Sequence, residues 1–216
     1  MQHNTSFSWE RFKKAPIIGI LRGLNLDTVQ KITKTYLDAG LYTMEITMNT
    51  VGAETIISKL RNEFPEMNIG AGTVCTMKDL EAALNAESQF IVTPIIDENV
   101  IKRAVALNIP IFPGAFTPSE IYRAWSLGAA AVKVFPATQL GPKYIKDVLA
   151  PLNEIKLIPT GGVSKDTIKS FFEAGAFGVG MGSSLLDNDL IKRSDYEGLK
   201  SHFLAIKEEV KDIFID

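Results

Sequence analysis

The sequence has 216 residues, of which 46% are hydrophobic and 22% are charged, and its formal net charge is −2. These proportions are typical of a globular domain with a sizeable core, and they argue against long disordered segments. The near-neutral charge and the lack of a Lys/Arg cluster argue against a nucleic-acid partner, because such binding depends on neutralising phosphates.

The sequence also shows no pattern typical of a targeting segment or of a cysteine- or histidine-rich metal site. Residues 1–16 contain no apolar core of a secretory signal, and no later run reaches the roughly 18 apolar residues that cross a bilayer. We therefore expect a cytoplasmic protein without a membrane partner. The single cysteine, Cys75, and the two histidines, His3 and His202, form no disulfide framework or metal cluster. We expect no metal and no cofactor.

Short apolar runs alternate along the chain with segments of about 10 to 14 residues that have helical periodicity. Residues 8–14 come before the first run and predict an extra N-terminal helix. The predicted strands are Ile17–Leu21, Tyr42–Thr47, Met67–Ala71, Phe90–Thr93, Ile109–Phe112, Ala131–Phe135, Lys156–Pro159 and Phe177–Gly180.

The segments between the strands carry helix boundary signals. Thr117–Glu120 predicts a capping box with proline at the first helical position, and Thr76–Asp79 is a weaker version. Glycines at positions where helices should end follow Ala39, Leu127 and Ala174. Eight strand–helix units in about 200 residues predict an α/β protein with one TIM (β/α)₈ barrel over residues 1–216. An open doubly wound sheet is the alternative.

Two charged residues occupy strands that are otherwise apolar. Lys133 lies in AAAVKVFPA, a run typical of a strand covered on both faces, where an unpaired ammonium is costly. Glu45 shares one face of its strand with Thr43 and Thr47, so we expect it to point into the barrel. The two side chains can form a structural ion pair, or they can serve a ligand.

Polar residues also follow the other strands, at the barrel mouth that holds active sites in this fold. Arg22 follows the first strand, Asn49 the second and Thr73 the third. A surface ion pair would also explain Arg22, and ordinary turn chemistry would also explain Thr73.

Glycine-containing loops follow the last two strands. Thr160-Gly161-Gly162 follows the seventh predicted strand, and Gly182-Ser183-Ser184 follows the eighth. Glycines let backbone N–H groups approach an anion, and loops after strands seven and eight form the recurring phosphate site of this fold. We therefore expect a phosphorylated small-molecule substrate.

A buried lysine without histidine or metal partners indicates imine chemistry. Desolvation lowers the pKa of an amine, and a neutral amine attacks a carbonyl to form a Schiff base. A nearby carboxylate such as Glu45 can then shuttle protons while a carbon–carbon bond breaks. These residues predict a class I aldolase. A phosphate-binding isomerase and a non-catalytic binding barrel are the alternatives from other classes.

The sequence resembles the 2-dehydro-3-deoxy-phosphogluconate (KDPG) and 4-hydroxy-2-oxoglutarate (KHG) aldolases from about Pro16 to the final helix. The motifs that carry the resemblance are MEIT at Glu45, GAGTV at 70–74, FIVTP at 90–94, PGAFTPSE at 113–120, VKVFPA at Lys133, PTGGV at 159–163 and GMGSS at 180–184.

The resemblance implies a homotrimeric TIM barrel that cleaves a phosphorylated 2-keto-3-deoxy sugar acid to pyruvate and glyceraldehyde 3-phosphate. It makes Lys133 the Schiff-base lysine and Glu45 the general acid and base. The implied carboxylate ligands are Arg22, Thr73 and Asn49; the implied phosphate ligands are Gly161, Gly162, Gly182, Ser183 and Ser184; and the implied pocket residues are Pro94, Phe135 and Thr160. Core packing would also explain Phe135.

Position 49 departs from the gluconate-type pattern. Such members usually carry an arginine four residues after the catalytic glutamate, where this sequence has Asn49. Arg22 in ILRG can supply the missing guanidinium, and this combination looks more like the 2-dehydro-3-deoxy-6-phosphogalactonate aldolases. Other motifs follow the gluconate branch, so we expect the gluconate substrate first and hold the galactonate and KHG reactions as alternatives.

Overall fold

A computed structural model describes residues 6–213, and His3 lies outside them. The strands are β1 (Ile17–Leu21), β2 (Thr43–Thr47), β3 (Asn68–Gly72), β4 (Ile91–Val92), β5 (Ile111–Phe112), β6 (Gly114–Ala115), β7 (Val132–Val134), β8 (Leu157–Pro159) and β9 (Val179–Met181). The helices are α1 (Trp9–Lys14), α2 (Leu26–Asp38), α3 (Ala53–Glu63), α4 (Met77–Asn85), α5 (Glu98–Ala106), α6 (Pro118–Ser126), α7 (Gly141–Leu149), α8 (Lys165–Glu173), α9 (Asn188–Lys192) and α10 (Tyr196–Glu208).

The strands form one curled parallel sheet that closes into a TIM-type barrel. Six strands pair in the order β5-β4-β3-β2-β1-β9, and three pair in the order β6-β7-β8. A parallel bridge between Thr160 and Gly180 connects β8 to β9. The predicted barrel is therefore confirmed, and an open doubly wound sheet is wrong for this chain.

The fifth strand of the barrel wall continues past its predicted end, Phe112, and is divided at Pro113 into β5 and β6. β5 pairs with β4, and β6 pairs with β7. Proline has no N–H to donate to a neighbouring strand, so the regular pairing pattern is interrupted there. The Pro113 carbonyl still accepts a hydrogen bond from the Lys133 N–H at 2.9 Å, so the strand continues to hold Lys133 in place.

The helix boundaries follow the signals in the sequence. Thr117 and Thr76 both form capping boxes, with Glu120 and Asp79 respectively. The glycines after α2, α6 and α8 have positive φ angles, which side chains larger than glycine rarely adopt. Among residues 6–213, no helix combines the length and the apolar character needed to traverse a bilayer.

The predicted N-terminal helix, α1, closes the end of the barrel opposite the candidate site. Ser8 caps it, and Phe12 is completely buried. The ring of Phe7 lies 5.3 Å from that of Phe90 and 6.1 Å from that of Phe112, measured between centroids. These aromatic side chains fill the barrel at the end that α1 closes. The polar side chains of the candidate site lie at the opposite end.

Candidate active site

Strand alternation directs Glu45 into the barrel. Its neighbour Met44 faces outward, where Thr33 of α2 donates a hydrogen bond to its sulfur at 3.3 Å. Glu45 therefore points inward, and only 2% of its surface is exposed. In the parallel register it lies beside Ile20 of β1 and Gly70 of β3. This placement agrees with the prediction that the Glu45 carboxylate points into the barrel.

Lys133 lies in the middle of β7 and is 6% exposed. It is paired with Gly114 on one side and Ile158 on the other, and it stands one inward position above the buried Ala131. Its Nζ lies 4.7 Å from the centroid of the Phe135 ring, a cation–π distance. The apolar strand therefore places the amine inside the barrel, toward its mouth.

Glu45 and Lys133 influence each other electrostatically without forming a contact ion pair. Within residues 6–213, no N···O distance of 4.0 Å or less joins them. Burial raises the pKa of the Glu45 carboxyl above its ordinary value, and the charges of Lys133 and Arg22 partly offset this. Burial lowers the pKa of the Lys133 amine, while Glu45 opposes the change and Arg22 adds to it. Both shifts favour the neutral forms.

Gly72 provides the space that the Glu45 side chain occupies. A β-carbon at this position would lie 2.2 Å from Oε1 of Glu45 and 2.5 Å from its carboxyl carbon. The glycines of GAGTV, Gly70 and Gly72, were predicted only as part of a family motif. Their spacing of two residues on one strand face was the available signal, because both remove side chains from the barrel interior.

Thr73 has an unusual backbone conformation directly after β3. Its φ angle is 56°, in the left-handed region that β-branched residues rarely adopt. Such strain is concentrated at functional sites, where the surrounding structure enforces it. Cys75 lies in the same loop, and it is near enough to Lys133 for the charge of the lysine to act on its thiol. Burial, however, raises the pKa of that thiol overall.

The predicted phosphate loops and Arg22 meet at one cavity of about 360 Å³ in the barrel mouth. Arg22 is exposed, and it takes part in no ion pair within the described range. Phe135, which lies beside Lys133, forms another part of the wall. The lining residues are Ile20, Arg22, Leu24, Phe135, Thr160, Gly161, Gly182, Ser183, Leu186 and Asn188.

Three other predicted site residues, Gly162, Ser184 and Asn49, do not line this cavity. Gly162 packs against the loop after β7, because a β-carbon there would lie 2.7 Å from Cα of Thr138. The Ser184 hydroxyl donates a hydrogen bond to the carbonyl of Val163. Asn49 is exposed in the turn after β2.

Pro94 lies in a neighbouring cavity of about 330 Å³, which Phe135 also lines. Phe135 is therefore 36% exposed between two depressions of the barrel mouth. Within the part of the chain that the structure describes, no three His, Cys, Asp or Glu side chains are grouped as metal ligands. The chemistry available at this mouth is that of an amine, a carboxylic acid and a guanidinium.

Comparison with known proteins gives a consistent result. A family model described as KDPG and KHG aldolase matches residues 9–201. The 2-dehydro-3-deoxy-6-phosphogalactonate aldolase of Escherichia coli K12 is 36% identical over 174 residues, which are 80% of this chain and 85% of that protein.

Two solved structures share the fold over nearly the whole chain. A structure described as native KDPGal superposes with a TM-score of 0.86 at 31% identity, covering 96% of this chain and 98% of the other. KDPG aldolase from Legionella pneumophila, with pyruvate captured as a covalent carbinolamine, has a TM-score of 0.83 at 25% identity and covers 91% and 96% of the two chains. The chain therefore belongs to the KDPG and KHG aldolase family and is a carbon–carbon lyase of the aldolase type.

Proposed function

We propose that this protein is a Schiff-base aldolase that cleaves a 2-dehydro-3-deoxy-6-phospho sugar acid to pyruvate and glyceraldehyde 3-phosphate. The observation that carries the proposal is the Lys133 amine, which is buried in an apolar strand with Glu45 nearby and no contact ion pair. A purely structural pair would hold its charges in contact, because burying separated charges is costly. A lysine whose pKa is lowered is suited to nucleophilic attack.

In this proposal the neutral Lys133 amine attacks the C2 carbonyl of the substrate to give a carbinolamine. The neutral carboxylic acid of Glu45 donates a proton to the departing hydroxyl, so loss of water leaves a protonated imine and an ionised Glu45. The protonated imine withdraws electrons from C3. The ionised form of Glu45 removes the proton from the C4 hydroxyl, and the C3–C4 bonding electrons move to the imine nitrogen through an enamine. The aldehyde leaves, Glu45 returns the proton to C3, and water hydrolyses the imine to release pyruvate.

The raised pKa of Glu45 supports its part in this cycle. An acid and base must both accept and return a proton, so its pKa is best placed near the working pH. Burial moves the pKa of Glu45 in that direction. Pyruvate captured as a carbinolamine on the L. pneumophila relative gives independent support for amine chemistry in this fold.

The cavity beside Arg22 supports a phosphorylated substrate. Gly161 and Gly182 line it together with the exposed Ser183, and α8 begins shortly after the first of these glycine loops. Backbone amides and a helix N-terminus favour an anion. We infer that this cavity holds the phosphate, which disfavours the unphosphorylated KHG as the main substrate. Arg22, Thr73 and Asn49 are the proposed neighbours of the substrate carboxylate.

Among the phosphorylated acids, we now place the galactonate epimer ahead of the gluconate. The sequence motifs alone favoured gluconate. Asn49 in place of an arginine, Arg22 exposed in the cavity and the 36% identity to the E. coli galactonate aldolase all support the galactonate. The gluconate remains the second candidate because the L. pneumophila relative is described as a KDPG aldolase.

In the first experiment the protein is mixed with pyruvate, borohydride is added to reduce any imine, and the modified residue is located by peptide mass spectrometry. We expect a pyruvate adduct on Lys133, and a Lys133→Ala variant that is folded but inactive. The matched control is Lys156→Ala, which removes a lysine whose Nζ lies 5.0 Å from the Phe177 ring, at the opposite end of the barrel. Absence of an adduct on Lys133 in folded protein would contradict the mechanism.

The substrate is tested separately by coupling pyruvate release to lactate dehydrogenase. The galactonate, the gluconate and KHG are compared by kcat/KM under one set of conditions. We expect the order galactonate, gluconate, KHG. A higher value for KHG than for both phosphorylated acids would contradict the assignment of the cavity to phosphate, while leaving the imine mechanism intact.

We also infer a homotrimer and a cytoplasmic location. The homotrimer rests on the family resemblance, and the location remains a prediction. Sedimentation equilibrium of the purified protein checks the first, and cell fractionation checks the second.

A further inference from the structure

Two turns form the walls of the proposed phosphate cavity. The first glycine turn is residues 160–164, after β8, and the second glycine turn is residues 182–186, after β9. Thr160 and Gly180 form a bridge where the two turns leave the sheet. Beyond that bridge no strand pairing joins the two turns within residues 6–213, so the distance between Gly161 and Gly182 depends on contacts outside the sheet.

The Ser184 side chain supplies such a contact. Its hydroxyl donates a hydrogen bond to the carbonyl of Val163, which connects the second glycine turn to the first. Val163 is 2% exposed, so its position is fixed by the core below. The hydroxyl of Ser184 is therefore directed away from the cavity that Ser183 lines.

A histidine from α10 holds the same residue from the other side. Nε2 of His202 lies 3.1 Å from the Ser184 carbonyl oxygen. A carbonyl only accepts, so the ring nitrogen carries the hydrogen and donates it. Leu199 and Phe203, on either side of His202 in α10, are completely buried, which fixes the helix against the barrel. Ser184 is thus held between Val163 and His202.

The phosphate site requires both turns at once. An anion bound by amides from two separate loops loses affinity when either loop moves, because hydrogen bonds weaken steeply with distance and angle. Pyruvate bound to Lys133 makes no such demand on the glycine turns. The positions of Ser184 and His202 should therefore affect the phosphate end of the substrate and leave the imine end unchanged.

We propose that Ser184 and His202 are positioning residues for phosphate, and that they fix the second glycine turn at the distance from the first that a phosphate group requires. Neither side chain contacts the substrate in this assignment. The proposal rests on the function proposed above, and it replaces the predicted role of the Ser184 hydroxyl as a phosphate ligand.

The test measures steady-state cleavage of the phosphorylated substrate by Ser184→Ala and His202→Ala. We expect KM to rise roughly three- to tenfold for each, because each variant loses one hydrogen bond. kcat, the turnover of KHG and borohydride trapping with pyruvate should stay within twofold of the wild type. The inhibition constant of inorganic phosphate should rise in parallel with KM.

Two variants serve as controls. Ser201→Ala removes an exposed hydroxyl that bonds a backbone carbonyl in the turn before His202, and it should leave every constant unchanged. His202→Gln retains a donor of similar reach and should restore most of the phosphate affinity lost in His202→Ala. Melting temperatures are recorded for all variants.

The outcomes separate this inference from the proposed function. Unchanged KM and unchanged phosphate inhibition in Ser184→Ala would overturn the positioning role. Equal losses for KHG and for the phosphorylated substrate would also overturn it, because they would indicate general distortion of the barrel. Failure of pyruvate trapping in the wild type would instead contradict the Schiff-base function, while phosphate binding by the same variants would still test the positioning role.

Discussion

Gly72 on β3 leaves the space into which Glu45 on β2 extends its carboxyl group. A β-carbon on Gly72 would approach Oε1 of Glu45 to 2.2 Å, closer than any real contact of this kind. The atoms in conflict are at the free end of a flexible side chain, so the carboxyl could rotate away from an added methyl group. The position of Glu45, the proposed acid and base, therefore depends on the absence of a side chain at residue 72.

Gly72→Ala is expected to reduce kcat by about 100-fold, because displacing a catalytic group by about 1 Å has effects of that order. The free energy of unfolding should change by less than about 1 kcal/mol, since the carboxyl can move aside without repacking the core. Steady-state kinetics and urea unfolding of the same preparation measure both quantities.

Gly70→Ala is the matched control on the same strand. A β-carbon there would lie 2.5 Å from the ring of Phe90, a completely buried side chain. This overpacking should destabilise the protein by about 1–3 kcal/mol. Wild-type kcat in Gly72→Ala would show that the space beside Glu45 has no catalytic importance. Similar losses of stability and of kcat in both alanine variants would attribute the lower kcat to general distortion of the strand.

Features of the fold and the site that depend on local sequence patterns were predicted from the sequence. The apolar run at 129–137 is a local feature, and it is sufficient to place Lys133 in a buried strand. The first strand was predicted with its observed bounds, Ile17–Leu21, for the same reason. Glu45 was predicted to point inward because the alternation of a strand is also local.

Features that depend on the approach of distant segments were not predicted. The Ser184 hydroxyl bonds Val163, a residue 21 positions away, and no local pattern specifies this partner. The left-handed conformation of Thr73 is likewise enforced by its surroundings, since threonine itself disfavours it. The predicted fifth strand ended at Phe112, directly before Pro113, which lacks a backbone donor. Its continuation as β6 depends on pairing with β7, which no local pattern specifies.

The lowered pKa of Lys133 predicts its reactivity in competitive labelling with acetic anhydride. Only the neutral amine is acylated, so labelling of Lys133 should reach half its maximum at a pH below the ordinary lysine value. Lys31 provides an internal control, because its hydrogen bond to Asp27 raises its pKa. Labelling of Lys31 should therefore rise at higher pH than that of Lys133.

Two variants test the causes of the shift. The negative charge of Glu45 raises the pKa of Lys133, so Glu45→Gln should move the labelling curve to lower pH. The positive charge of Arg22 lowers it, so Arg22→Leu should move the curve to higher pH. Shifts in the same direction for both variants would contradict this electrostatic description.

Asn49→Arg tests the proposed basis of substrate choice. Asn49 is exposed four residues after Glu45, so a longer side chain can be accommodated there. Gluconate-type members usually carry an arginine at this position, where a guanidinium forms charge-assisted hydrogen bonds to the substrate carboxylate. We therefore expect kcat/KM for the gluconate to rise about tenfold relative to the galactonate. Asn49→Gln is the uncharged control. An unchanged ratio of the two kcat/KM values in Asn49→Arg would show that residue 49 does not determine substrate preference.

Asn68 anchors the N-terminal segment to the lower barrel. Its Oδ1 accepts a hydrogen bond from the Ser8 N–H, and its Nδ2 donates to the Ser8 carbonyl, both at 2.9 Å. Asn68 is completely buried, so Asn68→Ala should lower the free energy of unfolding by about 2–4 kcal/mol and leave kcat unchanged. Asn62→Ala, at an exposed helix position, should change it by less than about 0.5 kcal/mol. A loss below 1 kcal/mol for Asn68→Ala would contradict the anchoring role.

Burial of Lys133 should also reduce the stability of the protein. Because its pKa is lower in the folded state, the unfolded chain binds more protons between the folded and the unfolded pKa, and stability rises with pH through that window. The destabilisation is complete below the folded pKa and absent above the unfolded value. Lys133→Met removes the ionisable group, so it should raise the free energy of unfolding at pH 7 by about 1 kcal/mol, as stabilising substitutions at functional sites do.

That gain should decrease as the pH is raised through the ordinary lysine pKa, because above that value the wild-type amine is neutral in both the folded and the unfolded state. Urea unfolding of the wild type and of Lys133→Met at neutral and alkaline pH measures the difference directly. A gain that is independent of pH would attribute the effect to packing alone. A loss of stability in Lys133→Met would mean that the charged amine is stabilised in the folded barrel, and the neutral nucleophile proposed here would then be wrong.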